Sequence, residues 1–369
     1  METSKPIEPP LSVDLPHREG LTTETHDWTM VRAGDIVRDQ KVVVIDGDQP
    51  VEEACDVLVK HGILSAPVYD KNSKSYVGMF DYGDVIAYLL LLLHRQEAPD
   101  QSLEVKELIQ HALKSQPVPV KLASDLSRKN PFYSVFPETP LLQVIEEFSS
   151  GTHRVAVMDG NGDIKGILSQ SAVVAYLYKN VSKFPDLSSY MNKSIHDLSL
   201  GKAPVVSVQT DQLVLNALSI MSEHGISSLA VVDPSGVLLS AITMTDVKYV
   251  MKSHHHSLLW STCFQFISHV RSLQGLENGQ DAYPVFDIRP ESTLGFAIAK
   301  LVATRAHRLW VTEPRGQVIG VVSLTDISRV FAKSAGLTVP TGRTSGSGTG
   351  LRERKGSLAK GSSLGLVGM

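Results

Sequence analysis

The stretch Ala306-His307-Arg308-Leu309-Trp310-Val311, followed by Gly320-Val321-Val322-Ser323-Leu324-Thr325-Asp326, reads as two β-strands that lead into a helix. The same pattern occurs three more times upstream, at intervals of about 80 residues. Its final position is held in chain order by Asp84, Ala172, Asp246 and Asp326, and a strand position before it by Pro67, Ala156, Ala230 and Trp310. A period this long indicates an array of supersecondary units that bury their apolar faces against one another.

The composition of the 369-residue chain, with 42% hydrophobic and 20% charged residues, is that of a globular protein with room for two cores. The net charge of -4 gives no overall basic field, so we expect no nucleic-acid partner. Cys55 and Cys263 are too few and too far apart for a disulfide framework or a zinc site. This favours a reducing compartment, and we expect the cytoplasm and also the nucleus. The most apolar run ends at Leu93 and is too short for a membrane span, which needs about 20 residues.

Each repeat follows one template of a short strand, a helix, two strands joined by a turn, and a second helix. In the first repeat the template predicts strands over 42–45, 64–69 and 75–80 and helices over 51–61 and 82–93. Both ends of the chain lack apolar periodicity, so we expect them to be disordered. The predicted organisation is an N-terminal arm (1–27), repeat 1 (28–94), a helical connection (95–131), repeat 2 (132–182), a linker with repeat 3 (183–252), a second helical connection (253–282), repeat 4 (283–333) and a C-terminal Gly/Ser-rich tail (334–369).

Three of the four repeats place a carboxylate where the hairpin gives way to a helix, at Asp84, Asp246 and Asp326. An Asp at a helix start commonly does no more than cap unpaired backbone N–H groups. A carboxylate in a cleft can also accept hydrogen bonds from both hydroxyls of a ribose, as in dinucleotide-binding folds. Ala172 holds this position in the second repeat, so we expect no ribose contact there.

A basic pair marks the even repeats. His153-Arg154 returns as His307-Arg308 at the same repeat position, where the odd repeats hold Leu64-Ser65 and Ser227-Ser228. Arginine carries a permanent charge and a planar set of donors suited to phosphate, and histidine can donate or add charge near neutral pH. Basic pairs and carboxylates from neighbouring repeats together predict a nucleotide site.

These features together resemble cystathionine-beta-synthase (CBS) domains, and their arrangement over about residues 30 to 333 resembles the gamma subunit of AMP-activated protein kinase. The resemblance is carried by Thr152-His153-Arg154-Val155-Ala156-Val157, by the two stretches quoted first, and by the linker from Phe184-Pro185 through Met191-Asn192-Lys193-Ser194 to Leu200-Gly201. It implies an α+β fold in which two β-α-β-β-α repeats pack through their sheets into one Bateman module. Two modules would form a disc, with adenine nucleotides in clefts that face the centre.

The resemblance also implies roles for individual residues. Asp84, Asp246 and Asp326 would hold riboses. His153, Arg154, His307 and Arg308 would face phosphates, and Thr245, Ser323 and Thr325 would support the ligands. AMP, ADP and ATP would act as regulatory ligands rather than catalytic cofactors, and no catalytic residue is implied. Two departures affect the Asp84 site, because Leu64 stands where the kinase subunit offers an arginine and Gly83 stands in place of Ser or Thr.

The predicted function is that of a non-catalytic regulatory subunit, which binds adenine nucleotides and regulates a kinase of the AMP-activated type in energy or nutrient sensing. Its partners would be the catalytic and scaffold subunits of the kinase. Asn130-Pro131-Phe132 and Leu168-Ser169-Gln170-Ser171 also resemble plant and fungal four-repeat relatives, some of which regulate type 2A phosphatases. The alternative is therefore a scaffold that regulates such a phosphatase in stress or cell-cycle signalling, with weak or no nucleotide binding. An enzyme is the third class, which is disfavoured because the repeats take up nearly all the ordered length.

Two short motifs complete the analysis. In Ser253-His254-His255-His256-Ser257, three adjacent side chains cannot all face one ion, so we predict a solvated turn and no metal site. In Arg354-Lys355-Gly356-Ser357, basic residues precede a serine, which makes Ser357 a candidate for phosphorylation.

Overall fold

A computed structural model describes residues 27–93, 103–129, 131–202, 204–252, 256–278 and 285–338 of the chain. The predicted arm up to residue 26, the predicted tail from residue 339 and Ser357 lie outside the described residues. So do His254 and His255 of the histidine run, and parts of the two predicted helical connections at 94–102 and 279–284.

The first repeat follows the predicted template. Its elements, with a preceding single-turn helix, are α1 Ala33–Ile36, β1 Ile45–Asp46, α2 Val51–His61, β2 Ser65–Asp70, β3 Ser75–Asp81 and α3 Tyr82–Leu93. The predicted bounds of α2 and α3 are confirmed. Local signals account for α2, because Glu52 lies in its first turn, Lys60 lies in its last turn, and Gly62 ends it with a positive φ of 61°. The strand predicted over 42–45 is shorter, since only Ile45 and Asp46 pair with β2.

The other three repeats have the same order of strands and helices. The first connection and repeat 2 comprise α4 Leu103–Leu113, α5 Val120–Ala123, β4 Ser134–Val135, α6 Leu141–Ser149, β5 Arg154–Met158, β6 Ile164–Ser169 and α7 Gln170–Lys179. The linker and repeat 3 comprise α8 Pro185–Met191, β7 Ser207–Gln209, α9 Val214–Glu223, β8 Ser228–Val232, β9 Leu238–Thr243, a 3-10 turn Met244–Asp246 and α10 Val247–Lys252. The second connection and repeat 4 comprise a 3-10 turn His256–Trp260, α11 Cys263–Asn278, β10 Asp287–Ile288, α12 Leu294–Thr304, β11 Arg308–Thr312, β12 Val318–Ser323 and α13 Leu324–Ser334. The remaining 3-10 turns are Trp28–Met30 and Val181–Lys183.

Each repeat builds its own three-stranded sheet, and all four sheets share one topology. The first strand pairs in parallel with the second, and the second pairs antiparallel with the third. The same register recurs in repeats 3 and 4. The predicted α+β fold of four equivalent repeats is therefore confirmed.

The helices bury their apolar faces between repeats that are not neighbours in sequence. One core joins repeats 1 and 3, with Phe80 and Leu58 packed together with Leu229 and Phe266. A second core joins repeats 2 and 4 in the same way. The apolar helix α3 belongs to the first core and contacts α9 and α10 of repeat 3, as expected for a helix that packs one repeat against another. Among the described residues, no helix combines the length and apolar character needed to cross a membrane.

The sheets make the other set of contacts, between repeats that are neighbours in sequence. The sheets of repeats 3 and 4 meet through Ala230, Val232, Trp310 and Val321. In repeats 1 and 2 the ring of Tyr76 stacks on that of Phe132, with centroids 5.0 Å apart and an angle of 8°. Sheet contacts thus define two modules, and helix contacts join the modules to each other.

Chain segments from outside each repeat complete the fold next to its first helix. Isolated β-bridges mark the four crossings: Pro50 with Pro119, Arg32 with Pro140, Leu213 with Thr262, and Ser194 with Thr293. The segment before β1 thus reaches repeat 2, and the segment before β7 reaches repeat 4. The two repeats of each module are interlocked, so each module is expected to fold as one unit.

The crossing segment of the second module passes so close to β12 that it requires a glycine there. A Cβ on Gly320 would overlap the backbone carbonyl of Gly201. We therefore expect Gly320→Ala to lower the free energy of unfolding by about 1–3 kcal/mol, through overpacking against rigid backbone. Urea denaturation of both variants checks this, with Gly160→Ala as the matched control, because no atom lies within 4 Å of a Cβ at Gly160. Equal stability of the two variants would contradict the tight crossing.

Candidate functional site

The four repeats surround one cavity of about 680 Å³, here called the central cavity. It is lined by side chains from every repeat. Its polar lining includes Ser65, Asp81, His153, Arg154, Ser169, Gln170, Ser227, Thr243, Thr245, Asp246, His307, Arg308, Ser323 and Thr325. Both predicted basic pairs and all three predicted supporting residues are therefore brought together, although they come from different modules.

Strand position explains why the basic pairs converge. Arg154 and Arg308 are the first residues of β5 and β11, and each donates a hydrogen bond to a serine of the partner repeat in its module. Arg154 donates to the hydroxyl of Ser65, and Arg308 donates to the hydroxyl of Ser227. The pseudo-symmetry of the two modules thus points two guanidinium groups at the same central space.

Burial changes the protonation behaviour of the two histidines in the cavity, His153 and His307. Burial lowers the pKa of His153 to about 3, and the charges of Arg154 and Arg308 add to this effect. Burial and the same two arginines lower the pKa of His307 to about 4. At neutral pH both imidazoles are therefore uncharged, and the arginines carry the positive charge. Two converging guanidinium groups in a partly enclosed space favour an anionic ligand.

Asp84 does not reach the central cavity. Its side chain is fully buried, and both oxygens accept backbone hydrogen bonds, one from Asp81 N at 3.0 Å and one from Ser127 N at 2.8 Å. Burial and the neighbouring Asp81 raise the pKa of Asp84 well above its usual range. This geometry supports the capping interpretation of Asp84, since backbone N–H groups engage both of its carboxylate oxygens.

Asp326 is also engaged within the protein. One carboxylate oxygen accepts from Ser323 N at 2.9 Å and from the Ser323 hydroxyl at 2.6 Å, which forms a capping box. The other oxygen accepts from Arg329 Nη1 at 3.2 Å. Asp326 is also absent from the lining of the central cavity.

Asp246 differs from the other two carboxylates. It lines the central cavity, and only its Oδ2 is engaged, by Thr243 N at 2.7 Å and the Thr243 hydroxyl at 2.9 Å. Within the described part of the chain, Oδ1 makes no hydrogen bond. Of the three predicted ribose carboxylates, Asp246 is thus the one that combines an available oxygen with a place on the cavity wall.

The region around Asp246 forms a cleft between repeats 3 and 4, here called the 3/4 cleft. We define it by Thr243 and Asp246 on one side and by Val285, Phe286 and Arg308 on the other. The backbone carbonyl of Phe286 accepts from Trp310 N at 3.0 Å, which holds the segment before β10 against the cleft. Sequence reasoning missed this apolar wall. The sequence feature that indicates this wall is the apolar pair Val285-Phe286, just before the first strand of repeat 4.

The supporting residues take different positions. Thr245 and Ser323 line the cavity at helix starts. Thr325 accepts a hydrogen bond at 3.0 Å from Nε2 of Gln170, which stands in repeat 2. Gln170 is 5% exposed and also bonds to the carbonyl of Thr152 at 2.9 Å, so it joins repeats 2 and 4 beside the cavity. Sequence reasoning missed this role, because nothing local indicates which side chain faces Gln170.

Other reactive groups lie away from the cavity. Cys55 and Cys263 are buried as free thiols, and burial raises their pKa values to about 12 and about 11. No group of three His, Cys, Asp or Glu side chains suited to a metal ion occurs among the residues that the structure describes.

Comparison with known proteins gives a consistent result. The profile of the CBS domain matches residues 33–91, 123–179, 191–253 and 282–333. A protein named SDS23 from Kluyveromyces lactis is 37% identical over 334 residues, which cover 84% of this chain and 64% of that protein. An SDS23 protein from Yarrowia lipolytica is 38% identical over 341 residues, which cover 84% of this chain and 68% of that protein. The chain thus spans about two thirds of the length of these curated relatives.

Among solved structures, a protein from Methanocaldococcus jannaschii described as a putative archaeal homologue of g-AMPK superposes with a TM-score of 0.63. The alignment covers 82% of this chain and 100% of that chain, at 14% sequence identity. This likeness shows a common four-repeat fold.

The histidines make stability depend on pH. Their pKa values are lowered in the folded protein, to about 3 and about 4, from about 6.5 in an unfolded chain. Between pH 6.5 and pH 4 the unfolded chain therefore binds more protons, and stability falls as the pH falls. We expect the double substitution His153→Gln and His307→Gln to reduce the loss of stability between pH 7 and pH 5, measured by urea denaturation. The exposed His61→Gln serves as the control, and an unchanged pH dependence in the double variant would contradict the assignment.

Proposed function

Since this chain belongs to the CBS-domain family, we propose that it is a non-catalytic regulatory protein that binds an adenine nucleotide in the 3/4 cleft. The observation that supports this most is the available oxygen of Asp246, on the wall of a cavity that also carries Arg154 and Arg308 of the two basic pairs. A carboxylate and a guanidinium group on facing sides of one cleft match the ribose and the phosphate of a nucleotide.

In the proposed complex, Asp246 accepts hydrogen bonds from the ribose hydroxyls. Arg308 and His307 bind the phosphate from the same module, and Arg154 and His153 approach it from the other module. Charge-assisted hydrogen bonds contribute about 1.5–3 kcal/mol each, whereas micromolar affinity requires about 8 kcal/mol. A few such contacts, together with burial of the base, are enough for a metabolite sensor that binds AMP, ADP or ATP.

Regulation follows from the position of the ligand between modules. A phosphate that bonds to both arginines holds the two modules in one relative arrangement. A ligand shifts a conformational equilibrium only as far as it binds one arrangement better than another. Contacts to both modules provide that difference, and the resulting shift would be sensed by a protein partner.

For the partner, we propose a protein kinase of the AMP-activated type, with its catalytic and scaffold subunits, in the cytoplasm or the nucleus. The support is the resemblance of the basic pairs and the linker to the gamma subunit of that kinase. The fold shared with a putative archaeal homologue of g-AMPK agrees with this proposal.

One observation favours a second candidate, a scaffold that regulates a type 2A phosphatase. Asp84 and Asp326 have both oxygens engaged inside the protein, and repeat 2 carries Ala172 instead of a carboxylate. Three of the four helix starts therefore lack an available carboxylate. An array with so few open sites could act mainly through its surface.

Isothermal titration with AMP tests the site. We expect one AMP per chain, and we expect Asp246→Ala to weaken binding by about ten-fold or more, because the ribose hydroxyls lose their acceptor. Arg308→Ala should weaken binding by a similar factor. Asp233→Ala is the matched control: it should leave the affinity unchanged, because Asp233 also accepts backbone hydrogen bonds in repeat 3 but lies outside the cavity lining. Full AMP affinity in Asp246→Ala would contradict the proposal.

Affinity purification from cells that express the tagged full chain tests the partner. Recovery of kinase catalytic and scaffold subunits is the expected result. Recovery of a type 2A phosphatase catalytic subunit instead, by both the wild type and Asp246→Ala, would replace the kinase with the second candidate.

A further inference from the structure

The last residue of each hairpin caps the helix or turn that follows it and also lines the central cavity. These four residues are Asp81, Ser169, Thr243 and Ser323. Three of them bring a hydroxyl group to the cavity wall, whereas repeat 1 brings a carboxylate. Asp and Ser are about equally good helix caps, so capping does not account for the difference. The distinct effect of Asp81 is a negative charge on the wall.

Asp81 belongs to a cleft between repeats 1 and 2, here called the 1/2 cleft. We define it by Ser65 and Asp81 on one side and by His153 and Arg154 on the other. Ser65 is the cross-strand partner of Asp81, and its hydroxyl accepts the hydrogen bond from Arg154. Directly opposed residues of an antiparallel pair have Cα atoms about 4.5–5.5 Å apart, which brings the guanidinium of Arg154 close to the Asp81 carboxylate.

The charges of this pair respond to each other. Burial raises the pKa of Asp81, and the charge of Arg154 opposes that shift. Burial lowers the pKa of Arg154, and the charge of Asp81 opposes that shift. Each group thus favours the charged form of the other, and the positive charge of Arg154 is engaged within the first module.

The second module has a threonine at the equivalent place. Thr243 is the cross-strand partner of Ser228, and Arg308 donates to the hydroxyl of the adjacent Ser227. The Thr243 hydroxyl donates to Asp246 at 2.9 Å. The two modules therefore share the arrangement of strand, helix start and arginine, but a threonine takes the place of the capping carboxylate beside Arg308.

A neighbouring glycine accommodates the carboxylate of Asp81. Gly83 stands where the other repeats have Ser171, Thr245 and Thr325. Its N–H donates to Asp81 Oδ1 at 2.7 Å, and a Cβ at Gly83 would lie only 3.0 Å from the same oxygen. Repeat 1 thus lacks two hydroxyl donors that the other repeats have, and carries a carboxylate, which when ionised only accepts hydrogen bonds.

We propose that Asp81 is a specificity-determining residue that excludes anionic groups from the 1/2 cleft, so that a nucleotide phosphate binds on the side of the second module only. This inference rests on the proposed nucleotide function. A phosphate in the 1/2 cleft would meet a like charge and would compete with Asp81 for Arg154. Arg154 can approach a phosphate that Arg308 holds, but it does not bind one of its own.

The test counts the anions that the cavity binds, by isothermal titration of the full chain with inorganic pyrophosphate. The wild type should bind one pyrophosphate per chain. Asp81→Ser should bind two, because serine keeps the helix cap and removes the charge. Asp159→Ser is the matched control, since Asp159 also accepts backbone hydrogen bonds in the first module but lies outside the cavity lining. It should bind one.

A reciprocal variant moves the carboxylate to the other module. Thr243→Asp places it beside Arg308 and should weaken pyrophosphate binding by about ten-fold or more, through repulsion in a partly enclosed space. The double variant Asp81→Ser and Thr243→Asp should again bind one pyrophosphate. Adding Arg154→Ala to the double variant should abolish this binding, and adding Arg308→Ala should weaken it less.

Asp81→Asn supplies a second neutral cap and should gain the same additional site. An unchanged number of bound pyrophosphate ions in both Asp81→Ser and Asp81→Asn, relative to the wild type, overturns the inference. A second site in Asp159→Ser would overturn it too, because the effect would then reflect net charge alone. AMP is titrated separately against the wild type, and its failure to bind would instead reject the proposed function, since pyrophosphate has neither base nor ribose.

Discussion

The three-stranded sheet is the constraint on which the architecture depends. A sheet this small cannot shield both of its faces with its own two helices, so each repeat must find partners on two sides. Helices meet across repeats 1 and 3 and across repeats 2 and 4, while sheets meet within each module. These two sets of contacts close the four repeats into a ring. The central cavity is the space that the ring leaves between the strand starts.

The ring also determines the chemistry of the cavity. Two arginines and two histidines of distant repeats are brought so close that the charge of Arg308 lowers the pKa of His153 in the other module. Such a cluster is unfavourable unless something compensates it. Part of the compensation is internal, since Asp81 and Asp84 lie near Arg154 and favour its charged form. In the proposed complex, the phosphate of the nucleotide adds to this compensation.

The four repeats share one template but differ in what each helix start does. In repeat 1 the backbone N–H of Ser127 donates a hydrogen bond to the carboxylate of Asp84. In repeat 4 the guanidinium of Arg329 donates one to the carboxylate of Asp326. Repeat 2 uses Gln170 to join repeat 4. Repeat 3 leaves an oxygen of Asp246 open on the wall of the central cavity. Duplicated structural units thus serve as three structural joints and one candidate binding cleft.

The repeat period, the four-repeat α+β fold and the bounds of α2 and α3 were predictable from sequence, because periodicity, turn residues and helix termini are local signals. The recurrence of the His-Arg pair also indicated that the two pairs are equivalent. Which carboxylates remain available was not predictable. The N–H that engages Asp84 comes from Ser127, 43 residues away, and the contact between Gln170 and Thr325 spans 155 residues. Hydrogen bonds, burial and charge coupling of this kind exist only after distant segments have packed together, so they belong to the tertiary structure and leave no local trace in the chain.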